Sequence, residues 1–495
     1  MIYPYSTGYG AFGGSPFSQS MAGFDSYSST ATADLLPTRM WLVSRSRQLA
    51  ISSPLASAAI DRMTGGIVGD GLTYIVSEDP FERDIAKKWV VASALKRLDA
   101  QHRQTFLQMQ DLACRNWLLS GDVFFIRKRG DISSWRAVES DRVQSPYYLR
   151  VKSDSLECYN PDNSNRIIDG IELDSDSIPV AYWILRDYIS RPLDVTNEQI
   201  ERIPAQDLDG SPLVLHLFAQ KRPDQYRGIP ILAESIESLH AFTGYLRATE
   251  QAAQFQSSVW GFITSENPTF DETEALGSRD LDQPIAVEEA KEDTPATTPT
   301  FELSTDPPTP ADLRAQADRV IPSAKRISAG QLWNLKHGED IKFLQPTNPN
   351  NNFQPYIKSQ TELLASSIGI PLQTLLCSYD TTYASARAAV LESNRQFKRL
   401  RGFFIEQFIK PIFGQFVFDV TQDQEVADWM SVSSQWQAPT ALSLDPTKEA
   451  DYWTKLYNLG LVTRDEIALS LLGHKATGTP QTPQTPTKSV EIEEV

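Results

Sequence analysis

Apolar residues recur at two spacings in the first half of this chain, one helical and one alternating. Ser53 followed by Pro54 predicts a helix start, with serine as N-cap and proline at the first helical position, and Gly65-Gly66 predicts its end. Alternation at Leu72, Tyr74 and Val76 predicts a strand. Helical spacing returns at Phe81, Ile85, Trp89 and Leu95 and again at Phe106, Met109, Ala113 and Trp117. A turn at Gly121-Asp122 then leads into a strand from Val123 to Ile126. Further strands are expected from Gly170 to Leu173, Val180 to Leu185 and Leu213 to Phe218, so the class predicted for this stretch is mixed α+β.

The second half is mainly helical. Arg227-Gly228-Ile229-Pro230 opens a long pattern with apolar positions at Leu232, Ile236, Leu239, Phe242, Leu246 and Ala253, a helix about 40 Å long at 1.5 Å per residue. Strands are expected at Gln331 to Leu335 and Asp340 to Leu344, then a helix from Phe353 through Ile357, Leu364 and Ile368, stopped by Gly369-Ile370-Pro371. The next helix, from about Ala384 to Lys410, has an apolar side of Val390, Phe397, Leu400, Phe404 and Phe408. Another of its sides carries Arg387, Arg395, Lys398, Arg399 and Arg401. Asp445-Pro446 starts a helix that ends at Gly460, and Thr463 with Glu466 forms a capping box for one more. The Thr/Pro-rich tail from His474 is expected to be disordered.

Composition narrows the class. At 495 residues, with 41% hydrophobic, 10% aromatic and 22% charged positions, the chain predicts folded domains rather than a fibrous or disordered protein. Its 46 basic residues against 63 acidic ones give a net charge of −17, which argues against a protein that grips nucleic acid along its backbone or docks on anionic lipid. Most of that charge is local. Residues 266–312 hold 13 acidic residues, two basic ones (Arg279 and Lys291) and seven prolines. Such a segment is either a solvated insertion or a docking surface for a basic partner. Residues 1–36, rich in Gly, Ser, Tyr and Ala, predict a flexible arm.

Signatures of catalysis are missing. Gly8, Gly10 and Gly13 have dinucleotide-loop spacing, but only seven residues precede them and Pro16 follows, which leaves no strand–turn–helix context. Phosphate-loop, HExxH and GxSxG patterns are absent, and Asp174 and Asp176 lack the glutamate that a calcium loop needs at position twelve. The five histidines are widely spaced, and His216 alternates with apolar residues as a packing position would. Cys114, Cys158 and Cys377 suggest neither a metal site nor a disulfide framework and fit a reducing compartment. No apolar run reaches membrane-spanning length, and no basic residue precedes Arg39, so a cytosolic origin is expected.

Five segments, in order, resemble the lambda-type portal family of tailed bacteriophages. They are Ser57 to Leu72 (SAAIDRMTGGIVGDGL), Gly170 to Asp174 with Pro179 to Trp183 (GIELD, PVAYW), and Arg227 to Leu232 (RGIPIL). The others are Ile368 to Leu376 with Ser378 to Ala389 (IGIPLQTLL, SYDTTYASARAA), followed by Glu392, Arg395 and Arg401, and finally Asp445 to Ala450 with Gly460, Leu461 and Arg464. Pro371 and Gln373-Thr374 stand where the family often has Tyr-Glu. The resemblance covers roughly residues 40–470.

The resemblance implies an α+β portal fold. Its parts would be an N-terminal arm (1–36), an α+β wing (37–228), a stem helix (229–260), a small α/β clip with the acidic insertion (261–352) and a second stem helix (353–370). A tunnel loop (371–384), a long wing helix with its following segment (385–425), a helical C-terminal crown (426–473) and a disordered tail (474–495) would complete it. The expected function is a ring of subunits, typically twelve, at one capsid vertex, through which a terminase motor packages double-stranded DNA that is later ejected. Implied partners are further copies of the chain, the terminase large subunit, major capsid and scaffolding proteins, head-completion and tail proteins, and DNA passing without sequence-specific binding. No membrane, cofactor, metal or catalytic residue is implied. The expected location is the virion, after assembly in the host cytoplasm.

Within that frame Ser378, Tyr379, Asp380, Thr381, Thr382 and Tyr383 are expected to form the DNA-facing tunnel loop, the bland alternative being a surface turn. Arg387, Arg395, Lys398, Arg399 and Arg401 are expected to make intersubunit ion pairs, with DNA contact or a solvated face as alternatives. The acidic balance suits a channel wall that repels phosphates and lets a duplex slide. A different viral connector or minor capsid protein, or an acidic hydrolase, remain as competing readings.

Overall fold

The computed structural model of the chain describes residues 29–76, 79–150, 158–188, 196–258, 261–265, 339–343, 353–379, 382–421, 435–438 and 446–472. It is a mixed helix-and-sheet structure that divides into two units, one of residues 1–247 with 351–495, the other of residues 248–350.

The first unit starts with α1 (Ala31–Leu35), α2 (Arg39–Ser52) and α3 (Pro54–Ile67), then β1 (Thr73–Tyr74), α4 (Pro80–Ala94) and α5 (Phe106–Ser120). The end of the expected arm is thus ordered, because Thr30 caps α1 and Asp34 pairs with Arg222 at 2.7 Å. Gly65-Gly66 does not stop α3, which runs on to Ile67. A β-carbon at Gly66 would lie 2.5 Å from the ring of Phe397, so the residue serves close helix packing rather than termination. Around Trp89 the rings of Phe106, Phe413 and Phe416 gather at 4.9 to 5.1 Å, joining α4 and α5 to a later helix in one core.

Two antiparallel sheets follow. β2 (Asp122–Lys128) is the centre of a three-stranded sheet between β3 (Ser134–Glu139) and β9 (Val214–Phe218). The other sheet runs in the order β4 (Cys158–Tyr159), β5 (Arg166–Ile168), β6 (Ile171–Leu173), β7 (Pro179–Leu185) and β8 (Ile200–Pro204). Neither β3 nor β8 stands out in the sequence, since SWRAVE and IERIP carry charges inside them. Both faces of β2 are covered. Val123 and Phe125 enter the helical core, while Phe124 joins Ile171, Tyr182 and Ile184 of the second sheet. The far face of that sheet is closed by Tyr147 over Cys158, Ile167 and Trp183.

After a 3-10 turn at Ala233–Ser235, α6 spans Ile236–Ser258, 23 residues and about 35 Å, so it starts later than Ile229. In the second unit β10 (Gly261–Ser265) pairs with β11 (Glu339–Phe343), in the register Gly261 to Phe343. The strand expected at Gln331 to Leu335 and the acidic stretch 266–312 lie outside the described residues.

Returning to the first unit, α7 (Phe353–Ile368) stops where expected, with Gly369 at φ 81°. α8 (Leu372–Leu376) occupies part of the stretch expected as loop. α9 (Tyr383–Phe404) continues through a π-helical turn at Ile405–Ile409 into α10 (Lys410–Val420) rather than ending at Lys410. The widened turn comes just before Pro411, which has no N–H to give to a residue four back. β12 (Trp436–Gln437) pairs with β1, and α11 (Pro446–Asn458) and α12 (Arg464–Leu472) follow, Thr463 and Glu466 forming the expected capping box.

Candidate functional site

The RGIP segment is held by buried charge. Arg227 is 2% exposed and donates from Nε to Asp122 at 2.7 Å, to the carbonyl oxygens of Val143 and Asp169 at 2.9 and 2.7 Å, and to that of Ser140 at 2.8 Å. Arg39 of α2 reaches Asp169 with two donors, one at 2.9 Å, and Ser140 Oγ at 3.0 Å. Two arginines and two aspartates therefore neutralise each other at the junction of α2, both sheets and the lead-in to α6. Burial alone would raise the Asp122 carboxyl, but Arg227 and His216 hold it well below the usual range. His216 is stacked between Phe124 and Phe218 at 4.1 and 4.3 Å, and burial lowers its pKa against the pull of Asp122. It packs, as its sequence setting suggested.

Beside this cluster two backbones cross. The Gly228 position has no room for a β-carbon, which would sit 1.9 Å from the Gly121 carbonyl oxygen, and Gly121 itself has φ 86°. Glu172 of β6 is a second buried hub. Its side chain accepts from Arg202 at 2.7 and 2.9 Å, from Asn163, Asn165 and Asn160 at 2.8, 3.1 and 3.2 Å, and from Trp183 Nε1 at 3.2 Å. Burial opposes the charge, yet Arg202 and the asparagines bring the pKa down to about 2. The motif residues Glu172, Arg227 and Gly228 thus hold the scaffold together.

The expected loop lies between α8 and α9. Ser378 and Tyr379 are exposed, Cys377 before them has φ 51°, and Asp380 and Thr381 lie outside the described residues. Thr382 accepts from the Ser385 N–H as N-cap of α9. Tyr383 is the first residue of that helix, with the Lys448 ammonium 5.8 Å over its ring.

Along α9 the buried side is Ala389, Ser393, Phe397 and Phe404, and Ser393 Oγ meets Thr374 Oγ1 of α8 at 2.7 Å. Arg387, Arg395, Lys398 and Arg399 are together on the exposed side, and Arg395 pairs with Glu392 at 3.1 Å. Among the described residues Arg387, Lys398 and Arg399 make no ion pair. Arg401 is set apart from them. It donates to the carbonyl oxygens of Ile67 and Gly66 at 2.8 and 2.7 Å and so satisfies the end of α3 within its own chain.

Sequence reasoning did not single out Asp122, Asp169 or Arg39. A signal was present in Asp122, a carboxylate leading into the apolar run Val123 to Ile126, but its partners are far off in sequence. Among the described residues, no group of three or more His, Cys, Asp or Glu is placed to hold a metal, and no helix is long and apolar enough to cross a membrane.

The family model for the phage portal protein, lambda family, matches residues 17–401. The chain belongs to that family. A probable portal protein of Halomonas phage phiHAP-1 is 23% identical over 253 residues, which is 50% of this chain and 40% of the relative, so the match spans less than half the relative's length. Among solved structures, the neck of an empty gene transfer agent particle, computed with C6 symmetry, aligns with 88% of this chain and 94% of its own at 13% identity and a TM-score of 0.45. The neck of the native particle, computed with C12 symmetry, aligns with 90% of this chain and 94% of its own at 14% identity and a TM-score of 0.43. These likenesses in chain path are loose.

Proposed function

We propose that the chain assembles with copies of itself into a ring of about twelve subunits, the portal at one capsid vertex. Through this ring a terminase packages double-stranded DNA, which later leaves toward a tail. The family match over residues 17–401 is the observation that carries this reading. In this assignment α6 and α7 are the stem helices, the two sheets with α2 to α5 are the wing, and residues 261–352 are the clip that meets the motor. Helices α11 and α12 belong to the crown. In support of the stem pair, the ring of Tyr245 of α6 meets that of Tyr356 of α7 at 4.4 Å, tilted by 55°. Net charge of −17 suits a conduit that repels phosphates. Capsid and scaffolding proteins would bind outside the ring, head-completion and tail proteins below it, and the terminase supplies all catalysis.

In this assignment Ser378 to Tyr383 forms the constriction and the exposed cations of α9 pair across subunits. Mass photometry with negative-stain imaging tests the ring. The expected result is a particle near twelve times 55.4 kDa with a hole wide enough for duplex DNA, and a protein that stays monomeric at high concentration with capsid partners present overturns it. For the loop, Asp380→Lys is expected to impair packaging with the ring intact, and normally filled heads from that variant would exclude the assignment.

A further inference from the structure

A groove between the two sheets of the first unit reverses the electrostatic balance of the chain. It encloses about 570 Å³ and is lined by Arg127, Lys128, Arg136, Arg142 and Arg186, with Glu201 as the one carboxylate among its described lining residues. Elsewhere acidic residues predominate.

Apart from Arg127, which pairs with Asp207, little of this positive charge is consumed locally. Lys128 and Arg136 are exposed and make no ion pair among the described residues. Arg142 donates from Nε to the Leu185 carbonyl at 3.0 Å and from its terminal nitrogen to the carbonyls of Leu185 and Arg186, contacts that fix the guanidinium without neutralising it. Burial, then Arg136 beside it, lowers its pKa. Arg186 faces Glu201 at 3.8 Å with both side chains more than half exposed, a pairing that water weakens.

The buried member stands apart: Arg127 shares the face of β2 taken by Val123 and Phe125 and is paired there. Arg127 has a side chain 3% exposed, with one terminal nitrogen on Ser211 Oγ and the other on Asp207, each at 2.6 Å. Its Nε–H is buried and has no acceptor among the described residues. Lys128, Arg136, Arg142 and Arg186 are like charges in one concavity, which raises the local potential for an anion.

We propose that this groove is a binding site for linked phosphate groups, as carried by a free polyphosphate or by a nucleic-acid backbone. Guanidinium forks match phosphate oxygens in pairs, and the Lys128 ammonium adds a mobile point charge. The described lining holds aliphatic side chains and no aromatic ring, so there is no platform on which a base would stack. Recognition therefore falls on the phosphates. This inference does not depend on the portal reading.

Calorimetric titration of the full chain with sodium tripolyphosphate at physiological ionic strength tests it. Saturable binding is expected, weakened at least tenfold in the double variant Lys128→Glu with Arg136→Glu, both exposed and with no side-chain hydrogen bond or ion pair among the described residues. The control pair Lys87→Glu with Lys88→Glu on α4 changes the charge equally at a distant exposed surface and is expected to bind as the parent does. Thermal melts confirm that both variants fold. Displacement of tripolyphosphate by an oligothymidylate identifies the nucleic-acid backbone as the natural source, and failure to displace it identifies a free polyanion. No saturable binding, equal loss in the control pair, or equal affinity for a polyglutamate of matched charge overturns the proposal.

Discussion

Glu172 shows how one side chain sets a measurable property. Its carboxylate is fully buried and takes donors from Arg202, three asparagines and Trp183, so removing its charge leaves that cage without its acceptor. Glu172→Gln is expected to cost about 2–3 kcal/mol in urea denaturation, since charge-assisted bonds are worth about twice neutral ones. The pH dependence follows from a folded pKa of about 2 against an ordinary 4.5. A depressed carboxyl contributes stability above its unfolded value and loses it as pH falls, so the parent is expected to weaken between pH 4.5 and 2. The difference between parent and variant should shrink over that window. At Gly228 the constraint is space alone. Gly228→Ala places a carbon 1.9 Å from a carbonyl oxygen, and loss of soluble protein, or destabilisation beyond about 4 kcal/mol, is the outcome to look for.

At the scale of elements, the pair Gly65-Gly66 separates what local sequence can tell from what packing decides. Two glycines in a row carry a helix-ending signal, yet α3 continues through them, because Phe397 of α9 fills the space that a side chain at Gly66 would need. Gly65 has nothing within 4 Å of its missing β-carbon. The two positions should therefore respond with opposite sign. Gly65→Ala is expected to raise the melting temperature, worth about 0.5–1 kcal/mol from reduced chain entropy, whereas Gly66→Ala should lower it by about 1–3 kcal/mol through overpacking.

The same crossing explains which signals were readable. Phe106 to Trp117, the stop of α7 at Gly369 and the Thr463–Glu466 cap depend on neighbours a few residues away, and all were legible. β3 and β8 pair with the strands just before them, β2 and β7, and were hidden because SWRAVE and IERIP carry charged residues that break the apolar alternation. Arg401 shows the same limit within the candidate site. In sequence it belongs with Arg387 and Arg399, and only the fold assigns it to the end of α3.

For the whole molecule, the family was legible because its motif residues turn out to be the scaffold's fixed points, whereas the surfaces that would meet partners carry no such local rule. The cations of α9 give that question a physical test. Arg387, Lys398 and Arg399 are exposed, make no ion pair among the described residues of their own chain, and sit on a helix whose opposite side is anchored by Phe397 and Phe404. If they meet carboxylates of an adjacent subunit, the attraction is screened as the Debye length shrinks from about 10 Å at 0.1 M salt to about 3 Å at 1 M. The triple variant Arg387→Glu, Lys398→Glu and Arg399→Glu is expected to fold as the parent does, because all three are exposed and no side-chain hydrogen bond or ion pair among the described residues is lost. By mass photometry it should remain a smaller species at low salt, where repulsion across the interface is strongest, and regain ring mass in part as salt rises. The parent should show the reverse trend, its ring loosening with salt. A triple variant that forms full rings at every salt concentration would show these cations to be a solvated face, and the ring would then have to be held by apolar contacts elsewhere.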